Sequence, residues 1–128
     1  MRTLPVIVFF LLALIACSGP TPEEMASLAA KGYYDHLVKG EYDLFLEGKD
    51  GADSLPEDYR EQLLASYKQF MALQRTDHHG IREVRISNAK TDSTQNYINV
   101  FLVLCFGDST NEEVVVPMVE RNNSWRMK

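Results

Sequence analysis

The chain has 128 residues, 13 Lys+Arg against 18 Asp+Glu, and a formal charge of −5 at pH 7. That balance disfavours nucleic acid or an anionic surface as a partner, because such partners need local positive charge. Two cysteines exclude a disulfide scaffold, and the length suits one small domain with a core of its own.

The first element is a leader. Arg2 places one positive charge near the terminus, and residues 5–16, PVIVFFLLALIA, form an uninterrupted apolar run of 12. At ~1.5 Å per helical residue the run spans about 18 Å, short of the roughly 30 Å hydrocarbon core. A positive start and a short apolar segment predict a secretory signal. Leu14-Ile15-Ala16-Cys17 closes the run, and the chain turns polar at once in SGPTPEE. This end resembles the lipobox of bacterial lipoproteins. The resemblance implies that residues 1–16 are a removed signal peptide and that the Cys17 thiol carries diacylglycerol. Residues 17–21 are then a lipidated tether, and residues 22–128 the folded domain. Two or three acyl chains would anchor it stably to a membrane. The mature part keeps 12 Lys+Arg (13 less Arg2) against 18 Asp+Glu, a charge of −6. An acylated Cys17 leaves Cys105 without a disulfide partner, and its setting in VFLVLCF predicts a buried small hydrophobe.

Thr21-Pro22-Glu23-Glu24 predicts a helix start, with Thr as N-cap, Pro at N1 and Glu at N3. Met25, Leu28, Ala29, Gly32, Tyr33, His36 and Leu37 then fall at three- and four-residue steps and predict one apolar stripe. Gly40 is the expected stop, and Gly32 suggests a close approach to another element. GEYDLFLEG predicts a short second helix with Tyr42, Phe45 and Leu46, and KDGADS a loop. A third helix opens at Leu55-Pro56-Glu57-Asp58, carries a stripe through Tyr59, Leu63, Ser66/Tyr67, Phe70 and Leu73/Gln74, and stops at Gly80.

After Gly80 the period changes. IREVRIS alternates, AKTDST reads as a turn, and QNYINVFLVLCFG (95–107) is the strongest strand, apolar on both faces near its centre. DSTN is a turn, EEVVVPMV a third strand in which Pro117 suggests a bulge or an edge position, and WRMK a short last strand with Trp125 and Met127 on one face. Helices followed by a four-stranded antiparallel meander make an α+β domain, with N-terminal helices packed on a curved sheet.

YYDHLVKGEYDLF in a first helix, a third helix, and strands ending in Trp-Arg-Met together resemble the nuclear transport factor 2-like superfamily, a cystatin-like α+β cone. Within it the chain is similar to small bacterial lipoproteins of lumazine-binding-like or SnoaL-like type. The resemblance covers about residues 22–128. Larger members carry a strand pair between the second and third helices, for which residues 47–58 are too short and too polar, so a shallow cone is expected. The superfamily hosts isomerases, dehydratases and many non-catalytic binders, so the fold does not choose among them.

His36 on the apolar stripe reads first as a core histidine hydrogen-bonded to backbone or to a tyrosine, and alternatively as a buried imidazole that acts as a base or orients a ligand. Tyr33, Tyr67, Tyr97, Asn99 and Trp125 are the candidate companions lining a cavity. Asp77-His78-His79 has the residue types of metal ligands but no further ligand pattern, and reads as a solvated loop. No nucleophile motif or phosphate loop is present, so no catalytic residue and no cofactor are assigned. The expectation is a lipid-anchored protein of the bacterial cell envelope, binding a small apolar ligand or an envelope protein, with a dimer allowed. A small hydratase- or isomerase-like enzyme using His36, or an accessory structural subunit, is the alternative.

Overall fold

The computed structural model describes residues 19–128. The leader and Cys17 lie outside the described residues. Helix α1 spans Pro22–Val38. Its start is the predicted capping box: the Thr21 hydroxyl accepts from Glu24 N at 3.1 Å, and Glu24 Oε1 accepts from Thr21 N at 2.8 Å. Gly40, at φ 80°, turns the chain out of the helix.

The buried face of α1 differs from the predicted stripe. Ala26, Ser27, Ala30 and Leu37 are buried, whereas Met25 is 40 % and Leu28 64 % exposed. Small side chains let the helix backbone lie close to the sheet, and the large apolar residues of the first turns are left outside. Gly32 faces open space. The close approach is at Gly48 instead, where a Cβ would meet the Tyr33 ring at 2.4 Å.

Helix α2 (Tyr42–Glu47) buries Phe45 and Leu46. A single 3₁₀ turn, Ala52–Ser54, follows. Between α2 and α3 the described residues form no strand pair, only one parallel bridge, Lys49 to Met127. Asp50 N donates to Met127 O and Met127 N to Gly48 O, each at 2.7 Å. Helix α3 (Glu57–His78) has 22 residues, of which Met71 alone is buried. The predicted stripe is largely uncovered: Tyr59 is 46 %, Phe70 37 % and Leu73 50 % exposed.

Strands β1 (Ile81–Asp92), β2 (Tyr97–Phe106), β3 (Asn111–Arg121) and β4 (Ser124–Met127) form one antiparallel sheet in the order β1-β2-β3-β4. Strand β1 runs through Ala89–Asp92, which the sequence predicts as a turn. The turn starts later because Asp92 Oδ1 accepts from the backbone of Thr94 and Gln95 at 3.1 and 3.3 Å. Register shifts at Ile81/Glu83 and Ile86/Asn88 break the regular pairing of β1, as bulges do when they bend a strand. Pro117 costs the ladder nothing: its carbonyl takes a bond from Lys128 N at 2.8 Å just beyond the end of β4, so its missing N–H faces the same vacated edge.

Ile98, Val100, Leu102, Leu104 and Phe106 face α1, and with Ala26, Ala30, Leu37, Phe45, Met71, Val84, Val116 and Met118 they form one contiguous core. The other face of the sheet has no helix over it among the described residues. No described helix is long and apolar enough to cross a membrane.

Candidate functional site

The structure does not gather the six candidate residues into one pocket. His36 lies at the surface rather than in the helix–sheet seam: its side chain is 37 % exposed, with Nδ1 2.8 Å from Glu41 Oε1. The predicted stripe misplaced it because α1 is seated on its small residues. Tyr33 is partly buried and its hydroxyl is committed, donating to the Trp125 carbonyl at 2.7 Å and so fastening α1 to β4.

Tyr67 belongs to an aromatic chain. Its ring meets Phe45 edge to face at 4.8 Å between centroids, and Phe45 meets Tyr34 in the same way at 5.2 Å. Burial pushes the Tyr34 and Tyr67 phenols up from their ordinary value. These rings pack between α1, α2 and α3.

Tyr97 and Asn99 alternate with buried Ile98 and Val100, so they stand on the sheet face away from α1. Asn99 is the sequence signal for this parity: a polar residue among apolar ones marks the odd positions of β2 as outer. Trp125 pairs with Glu120 across β3–β4 and packs against the core on the helix side. Its indole Nε1 is buried with no hydrogen-bond partner among the described residues.

The described clefts all open on the outside. One of about 590 Å³ lies between α2 and α3 and includes Glu41, Leu44, Leu64 and Lys68. An apolar groove of about 370 Å³ runs between α1 and β1 along Leu28, Ile86 and Ala89. A third, of about 440 Å³, lies at the end of the sheet and brings Tyr97 and Trp125 together with Glu23, Thr91, Glu120 and Arg121.

Sequence reasoning missed one built arrangement. His78 is no loop residue: it closes α3, stacks on Phe106 at 4.3 Å, and its Nδ1 is 3.0 Å from Asp108 Oδ2. The Thr110 hydroxyl, His78 and the Thr110 N–H hold the Asp108 carboxyl down at about 2. Asp108 N returns a bond to the His78 carbonyl at 3.0 Å. Gly107 is required beside it, since a Cβ there would meet His79 O at 2.4 Å. The unit clamps α3 to the β2–β3 turn. Among the described residues no group of three or more His, Cys, Asp or Glu is arranged to hold a metal.

The outer sheet face carries an apolar strip. Phe101 and Val103 of β2 stand beside Val115 and Pro117 of β3, with Val115 52 % exposed. Arg85 and Lys90 flank them on β1, and Glu113 on β3. Cys105 is on this face but fully buried, with a free thiol.

No family model matches the sequence. No curated protein matches it. A solved structure does: a Campylobacter jejuni protein described as a proposed NTF2-like transpeptidase, with a TM-score of 0.61 and 12 % identity, over 77 % of this chain and 92 % of that one. At that identity the likeness is one of fold. The chain has an NTF2-like α+β fold, helices first and a four-stranded antiparallel sheet after them.

Proposed function

We propose that the protein is a lipid-anchored component of the bacterial cell envelope, and that its folded part is a non-catalytic module binding another envelope protein. The anchor rests on the sequence of the leader and Cys17. The observation that favours a protein partner over a small apolar ligand is the apolar strip Phe101, Val103, Val115 and Pro117 on the sheet face that no described helix covers. Exposed apolar surface rimmed by charge is the usual mark of a protein contact. The neighbour's transpeptidase description is not carried over, since Cys105 is fully buried and Ser66 Oγ donates to the Leu63 carbonyl of its own helix.

Growth with a labelled fatty acid tests the anchor: label enters the wild type and not Cys17→Ala. A photocrosslinker at Val115 in living cells tests the surface. It should trap one defined envelope protein, while the same group at exposed Arg82 on the β1 edge traps none. Equal labelling of both forms, or identical crosslinks from both positions, contradicts the reading.

A second reading, a hydratase- or isomerase-like enzyme, draws on the His36–Glu41 pair, because Glu41 also lines the cleft between α2 and α3. It requires a substrate whose turnover is abolished in His36→Ala.

A further inference from the structure

The β3–β4 hairpin turns on two residues. Arg121 pairs with Ser124, and between them Asn122 and Asn123 both have positive φ, 51° and 66°. This is the tight turn whose twist matches the strands, and asparagine enters its left-handed backbone more readily than most residues. Both asparagines are exposed. The turn accounts for their backbones and leaves their side chains over. Among the described residues neither amide enters a hydrogen bond, nor does the Ser124 hydroxyl, while the flanking Arg121 and Arg126 are both engaged.

Asn122-Asn123-Ser124 is also Asn-x-Ser with x other than proline, the acceptor pattern for N-glycosylation. Asn122 is the one asparagine of the chain with Ser or Thr two places on. The spacing has a chemical reason. An amide nitrogen has its lone pair delocalised into the carbonyl, so it reacts only when held and polarised, and the hydroxyl gives a transferase its second grip. Here Asn122 and Ser124 line one open cleft of about 470 Å³. Glu120, exposed two residues ahead, supplies the acidic position that bacterial acceptor sequences add to the pattern. The turn lies at the end of the domain where the tether enters, since Glu120 and Arg121 share a cleft with Pro22 and Glu23. Cys17 is four residues before Thr21, at most about 14 Å of extended chain. A lipid on Cys17 therefore holds the turn near the membrane, where a lipid-linked sugar donor resides.

We infer that Asn122 is an N-glycosylation site, modified by a membrane transferase from a polyprenyl diphosphate-linked oligosaccharide. The inference rests on the reading of the chain as an anchored envelope protein. Asn122 Nδ2 attacks the anomeric carbon of the sugar and the N–C bond forms. The C–O bond to the diphosphate breaks, the lipid diphosphate leaves with the electron pair, and the Nδ2 proton passes to a base of the transferase.

The full-length protein, purified from its own membranes, is digested with trypsin and read by mass spectrometry. Expected is a peptide of residues 122–126 made heavier by an oligosaccharide, which yields sugar fragment ions on collision. Asn122→Gln and Ser124→Ala lose that mass, whereas Asn123→Gln and Ser124→Thr keep it. Ser124→Ala leaves both turn asparagines in place, so its loss of sugar does not arise from a disturbed hairpin. An unmodified Asn122 in the wild type, or sugar retained in Asn122→Gln as a link to Ser124 would give, overturns the inference. The Cys17 peptide of the same digest separates the two readings. Acyl mass on Cys17 beside a bare Asn122 removes the glycosylation site and leaves the anchor, and sugar on an unacylated chain does the reverse.

Discussion

Tyr33 does its work through contacts that a stripe of apolar positions does not reveal. Its hydroxyl reaches the Trp125 carbonyl across 92 positions of sequence, and its ring occupies the space a side chain at residue 48 would need. Gly48→Ala should therefore destabilise the fold by about 1–3 kcal/mol through overpacking. Tyr33→Phe should cost about 1 kcal/mol, the net worth of one hydrogen bond. Urea denaturation of each variant checks both, and a neutral Gly48→Ala would mean that the Tyr33 ring can move aside. His36 stands in contrast. Exposed and paired only with Glu41, it should tolerate Ala with a change within about 0.5 kcal/mol, read as midpoint shift in the same experiment. Its residue type and helical position were legible in the sequence. Its direction was not, because the seat of α1 is set by the volumes of Ala26, Ser27 and Ala30 against the sheet, and hydrophobicity gives no weight to smallness.

Among the elements, the termini of α1 and the order of strands could be read in advance, since caps, glycines and changes of period are local. The far end of β1 could not: AKTDST has turn composition throughout, and only the pairing of Ala89–Asp92 with Tyr97–Val100 settles where the strand ends. Helix α3 shows the opposite failure. Its stripe is real but meets little, since Met71 is its one buried residue and Leu63, Leu64 and Tyr67 are half-buried. Its attachment depends on the aromatic chain in the middle and on the His78–Asp108 clamp at its end. Amide hydrogen exchange should therefore find Glu57–Leu64 exchanging well before Val100–Leu104 of the central strand; equal protection would contradict this. The clamp also sets a pH dependence. Asp108 is depressed to about 2 in the fold, against about 3.9 for a free aspartate. Its contribution is thus fully present above about pH 4 and is lost as the pH falls through about 2. Asp108→Asn should flatten that part of the thermal-midpoint curve between about pH 4 and 2, and an identical acid slope in both proteins would remove the clamp from the account.

Residues 1–16, outside the described residues, precede a domain whose outer sheet face no described helix covers. Fold class was legible because the change of period after Gly80 separates helices from strands. The uncovered sheet face was not, because both faces of β2 are apolar and only tertiary packing decides which is covered. On this account the domain works while held at a membrane, and its position is set by one atom, the Cys17 sulfur. The direct test is the intact mass of the protein purified from its own membranes. The account predicts a chain of 112 residues (128 less 16) beginning at Cys17 and heavier than its sequence by acyl groups. A product that keeps residues 1–16, or that starts at Cys17 with no added mass, contradicts it.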